Sequence, residues 1–143
     1  MSEKQQLCTF HVADLICAVE VSRVQEVLRP QKLTRIPQAP LGADGLINLR
    51  GQIVLAINLR QRLGLSQRAT DEVFMNVVLR TEDGPVSLLV DHIGDVLEVE
   101  QDSFVKPPET LRGSVRDMIV GAFQLPNCLC LLLNSDETLN LAS

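Results

Sequence analysis

Tryptophan and tyrosine are absent from this 143-residue chain, and four phenylalanines leave the aromatic share at 3%. Positive charge is also scarce: 13 Lys and Arg stand against 18 Asp and Glu, for a net charge of −5. A nucleic-acid binder needs a basic face to neutralise phosphates and rings on which bases can stack, so that partner class is excluded. Long hydrophobic runs are missing too. The longest, residues 128–133, falls far short of the ~20 residues that span a bilayer. The opening Met-Ser-Glu-Lys-Gln-Gln has no apolar signal-peptide core, so a cytoplasmic protein without membrane insertion is expected.

The groups that usually carry chemistry are equally thin. No Gly-rich phosphate loop appears, so nucleotide binding has no support. The two histidines, His11 and His92, belong to no spacing that would place two ligands on one element. Cys128 and Cys130 would share a strand face and, with Cys8 or His11, could in principle reach a metal. Structural zinc sites, however, use knuckles on turns. With no sign of an oxidising compartment, Cys8, Cys17, Cys128 and Cys130 read as small buried hydrophobes. Asp91-His92 looks like part of a catalytic relay, but neighbouring strand residues point to opposite faces, which favours a solvated pair. No enzyme, cofactor or metal is expected.

What the chain does have is alternation. Apolar residues make up 45% and charged residues 22%, the balance of a folded globular protein. They recur with period two at Ile53, Leu55, Ile57 and Leu59, at Val73, Met75, Val77 and Leu79, and at Val86, Leu88 and Val90. Turn signals separate the runs: Ala13-Asp14, Glu82-Asp83-Gly84-Pro85, and Pro126-Asn127. Several runs are apolar on both faces, which suits a closed barrel packed against a second layer. The fold class is therefore all-β with a few short helical turns. One such turn is expected at residues 22–28, where Ser22 and Gln25 have capping-box spacing and Val24, Val27 and Leu28 form an i, i+3, i+4 stripe. A second runs from Asn58 as N-cap to Gly64, and a third from Ser135 to Leu141. Residues 66–70 and 105–109 read as exposed loops.

The most distinctive stretch is Gly45-Leu-Ile-Asn48-Leu-Arg50-Gly51-Gln-Ile-Val-Leu-Ala-Ile-Asn58-Leu-Arg60. It reads as strand, tight turn at Gly51, strand and Asn-capped helical turn, with Arg50 at the rim where the backbone reverses. Taken alone it is a hairpin with a solvated arginine. Its wording closely resembles the CheW family of chemotaxis adaptors, whose hallmark is a G-x-x-N-L-R-G-x-I-x-P-x-I-D-L-R-like segment. Val24-Gln25-Glu26-Val27, Thr34-Arg35-Ile36-Pro37, Val90-Asp91-His92-Ile93, Lys106-Pro107-Pro108 and Leu131-Leu132-Leu133-Asn134 match further family segments in order. Leu55 replaces a frequent Pro, and Asn58 a frequent Asp that caps a helix equally well.

The resemblance implies one domain over residues 1–143, built as two intertwined five-stranded β-barrels with their junction near residues 66–72. It further implies a non-catalytic adaptor that receives the helical hairpin tip of a chemoreceptor and binds the regulatory domain of the histidine kinase CheA. On that basis Glu26 and Arg50 are rim charges beside a receptor groove, and Val24, Val27 and Ile53 are its apolar anchors. For these three, ordinary core packing is the competing explanation. Lys106, Glu109 and Leu111 are the kinase-side candidates, against a plain solvated loop. The same fold could serve surface motility or second-messenger control. A small-ligand or metal-binding barrel and a detached kinase module are the rivals from other classes.

Overall fold

A computed structural model describes residues 4–37, 43–65, 74–106, 113–126, 128–135 and 138. Eleven strands and two short helices occupy them: β1 (Lys4–Val12), β2 (Leu15–Glu20), β3 (Val24–Leu28), β4 (Ala43–Leu49), β5 (Gln52–Asn58), α1 (Leu59–Arg62), β6 (Met75–Thr81), β7 (Gly84–Val90), β8 (His92–Glu100), β9 (Phe104–Val105), α2 (Ser114–Met118), β10 (Ile119–Gln124) and β11 (Leu129–Leu133). The first sheet has the order β8-β1-β2-β11-β10-β9 and the second β3-β6-β7-β5-β4. The all-β expectation holds, with six strands rather than five in the first sheet because the two-residue β9 joins its edge.

Both sheets curl. The outermost strands of the first sheet, β8 and β9, are joined by the three-residue 3₁₀ turn Gln101–Ser103, so opposite edges must approach one another. In the second sheet the outermost strands β3 and β4 are likewise consecutive in the chain. Thr34, beyond β3, exchanges two backbone hydrogen bonds with Leu46 of β4, at 2.8 and 2.7 Å. Gly45 permits that approach, since a Cβ there would overlap the Thr34 carbonyl.

Curling explains why so many strands are apolar on both faces. In β5, Val54 and Ala56 enter a cluster private to the second sheet, while Ile57 and Leu55 turn to a cluster that both sheets share. In β11, Cys130 and Leu132 enter the first sheet's private cluster, and Leu131 and Leu133 the shared one. Strand alternation thus splits each strand between two cores. The shared cluster, which includes Phe10, Val12, Ile57, Leu79 and Leu88, is the largest.

The expected helical turn at 22–28 is a correction. Only Val21–Arg23 form a 3₁₀ turn, and residues from Val24 onward are strand β3, paired antiparallel with β6. A helix of seven residues cannot recover its nucleation cost alone, whereas β-branched Val24 and Val27 gain ladder partners in Leu79 and Val77. A register shift between Val24 and Glu26 is what gave the sequence its misleading three-residue spacing. The second turn is as expected: the Asn58 side chain accepts from the Gln61 amide, and Gly64 (φ 71°) ends it. Of the third, Ser135 and Thr138 are helical, and the rest lies outside the described residues. The junction expected near 66–72 lies outside them as well. The strands on either side of it, β5 and β6, belong to one sheet, and the chain changes sheet between Glu20 and Val24 and again at Asp91.

Candidate partner-binding surface

The β4–β5 hairpin closes through Arg50-Gly51, both at positive φ (50° and 88°). A two-residue turn with that pair of angles matches the right-handed strand twist, which makes the hairpin tip rigid. The Asn48 side chain reinforces it by accepting from the Gly51 amide at 2.8 Å. Holding a non-glycine residue at positive φ throws the Arg50 side chain out of the turn, where its guanidinium donates to the Glu26 carboxylate on β3. The two rim charges named from sequence are therefore in contact, 24 residues apart in the chain. The Arg50 hydrogen bond, and then its charge, hold the Glu26 carboxyl below its ordinary 4.5. Any stabilisation from the pair is thus in place above pH 4.5 and is lost as pH falls through the lowered value.

Ladder registers place the apolar candidates on one face. Val24 lies opposite Leu79, Leu79 opposite Val86, and Val86 opposite Leu55. This row crosses the second sheet on the side of the shared core, and Val24, Leu55 and Val86 are its partly buried members. Val27 shares that face opposite Val77 and is 40% exposed; Ile53, one pleat beyond Leu55, is 62% exposed. Core packing therefore accounts for part of Val24 and of Val27, and for little of Ile53. Sequence reasoning missed Val96, which is 61% exposed opposite Cys8, on the face of the first sheet that meets the shared core. A valine beside the charged Asp95 and Glu98 on a nine-residue strand was the available signal.

A second exposed apolar group lies at the β9 edge. Phe104 and Val105 are each 40% exposed and Val120 50%. Phe104 packs edge-on against the buried Phe123, with centroids 5.3 Å apart and planes at 64°. Gly121 makes room for it, because a side chain there would overlap the Phe104 ring. Lys106 follows directly and is exposed. Glu109 and Leu111, the other kinase-side candidates, lie outside the described residues.

Two sequence readings of polar groups end differently. Cys8, Cys17 and Cys130 are buried and Cys128 half-buried, all as free thiols. Burial pushes Cys17 up to about 12 and Cys130 up to about 11, far from the thiolate a nucleophile or metal ligand needs. The solvated Asp91-His92 pair is a correction: His92 is exposed, but Asp91 is buried and bound to Arg60 at 2.6 Å. Its carboxylate is engaged by an arginine and a backbone amide, which makes it an ion-pair partner.

A CheW-like domain model matches residues 6–143. The chain belongs to the CheW-like family. Among relatives of this CheW-like protein, the chemotaxis protein CheW of Treponema pallidum is 31% identical over 123 residues, covering 83% of this chain and 72% of that protein. That of Bacillus subtilis is 28% identical over 137 residues, covering 95% and 87%. The crystal structure of the scaffolding protein TtCheW from Thermoanaerobacter tengcongensis superposes with a TM-score of 0.81 at 22% identity, over 92% of this chain and 90% of that one. The CheW-like protein is thus a non-catalytic chemotaxis scaffold with the CheW fold. Among its described residues, no helix is long and apolar enough to cross a membrane.

Proposed function

We propose that this CheW-like protein is a cytoplasmic adaptor that couples a chemoreceptor to the histidine kinase CheA. The observation that carries the reading is the pairing of exposed apolar side chains on the shared-core face of the second sheet, Val27 and Ile53, with an ion pair that joins the rigid β4–β5 hairpin tip to β3. Val27, Ile53 and Val96 would take up the apolar face of the receptor's helical hairpin tip, with Val24 as the partly buried floor. Helix-in-groove binding draws affinity from such anchors and register from charges at the margin. Arg50 and Glu26 would supply that margin; with Arg50 exposed and Glu26 half-buried, the pair adds little to folding. The kinase would meet the other exposed apolar group, Phe104 and Val105, together with Lys106 and the loop carrying Glu109 and Leu111. Weak individual contacts suffice when many copies are held together in an array.

Two substitutions test the receptor side. Arg50→Ala and Glu26→Lys should each lower affinity for a receptor cytoplasmic fragment, measured by calorimetry, while the melting temperature stays within a few degrees of wild type. Variants that melt early would make the pair structural. Variants that bind normally would move the receptor surface elsewhere.

A further inference from the structure

The chain passes between the two sheets twice, and an arginine sits at each passage, Arg80 on β6 of the second sheet and Arg60 on the helix that follows β5. At the first, Arg80 of β6 donates to the carbonyls of Ser22 and Val24 at 3.2 and 3.1 Å. At the second, Asp91 is the single residue between β7 of one sheet and β8 of the other. Its backbone amide donates to the His11 carbonyl at 3.0 Å. Its carboxylate accepts from the Ala13 amide at 2.8 Å, and Ala13 belongs to the β1–β2 turn of the first sheet. The same carboxylate accepts from Arg60 Nη2 at 2.6 Å and from Arg60 Nε at 3.1 and 3.2 Å. Arg60 lies on α1, directly after β5 of the second sheet. One carboxylate therefore ties both sheets at the point where the chain crosses between them.

The shared core supplies the attraction between the sheets but little direction. Apolar burial is proportional to area and nearly indifferent to small rotations, and the facing Val, Leu and Ile side chains can interdigitate in more than one way. A forked guanidinium on a carboxylate is directional. With side chains only 14% and 7% exposed, this pair cannot readily exchange its partner for water as the layers slide. Buried ion pairs are poor sources of stability and are better suited to selecting one arrangement among several.

We propose that Arg60, Asp91 and the Ala13 amide form a lock that sets the angle between the two sheets. Asp91 is its central positioning residue. In the adaptor reading this angle fixes how the surface at Arg50 and Ile53 stands relative to the surface at Phe104 and Lys106, a consequence that rests on that reading. The lock itself does not.

The test needs no partner. Spin labels are placed at exposed Glu82, in the β6–β7 turn of the second sheet, and exposed Asp102, between β8 and β9 of the first, in a full-length Cys128→Ser background. The distance distribution is then measured by pulsed electron resonance. A single narrow distance is expected with the lock intact. Asp91→Ala should broaden, split or shift that distance while the far-ultraviolet circular dichroism keeps its strand signal. Should Asp91→Ala fail to fold, Arg60→Gln and the double variant Asp91→Leu with Arg60→Met carry the same test, the latter because it refills the space with apolar atoms. A folded variant of any of the three that keeps the parent distribution overturns the lock. Normal receptor binding by such variants would not rescue it, and loss of binding would not establish it.

Discussion

Asp91→Ala is expected to destabilise the folded chain by about 3 kcal/mol, read as a lowered urea midpoint with an unchanged slope. The effect comes mainly from what is left behind. The Ala13 amide sits in an exposed turn and can be taken over by water, but the Arg60 side chain is only 14% exposed and loses the counter-ion that offset its desolvation. Removing one partner of a buried pair is far more damaging than removing both. Asp91→Leu combined with Arg60→Met should therefore recover most of the loss. A single variant within 0.5 kcal/mol of wild type, the range usual for surface substitutions, would mean that the pair is hydrated in solution.

The second large effect is expected at Phe123. Its ring is 1% exposed in the first sheet's private core, beside Leu7, Cys130 and Leu132. Truncation to alanine removes that buried area and leaves a cavity, which together cost about 3–5 kcal/mol. It also takes away the ring on which Phe104 rests, so β9 and the exposed Lys106 after it lose their support. Phe123→Leu should retain much more, because most of the volume stays. Ile53→Ala provides the contrast: at 62% exposure it should leave the denaturation midpoint almost unmoved. If Phe123→Ala is as benign as Ile53→Ala, the private core does not exist as described.

Strand positions were legible because period-two alternation is a local property. The turns at Glu82-Asp83-Gly84 and Arg50-Gly51 likewise carry their backbone requirements in their own glycines, whereas Ala13 holds positive φ (53°) with no glycine there to signal it. Segment 22–28 was misread because its spacing fits a helix equally well, and what decides is the ladder with β6, some fifty residues away in the chain. Asp91 was misread for a related reason. A carboxylate next to a histidine looks solvated until a distant arginine from α1 is brought against it. The candidate site divides along the same line. Glu26 and Arg50 were named from the family resemblance, but their contact depends on the curl that carries β3 and β4 towards each other. Val96 has no motif of its own, and only its register with Cys8 places it on the face next to the shared core.

As the proposed adaptor, this chain would physically join two other proteins. The most direct test is co-sedimentation of CheA with a vesicle-anchored receptor cytoplasmic fragment, with and without the purified chain. The kinase should pellet with receptor when the chain is added, both interactions should appear separately in binary mixtures, and Arg50→Ala should break the receptor arm alone. A chain that binds neither protein, or a kinase that pellets equally well in its absence, would contradict it.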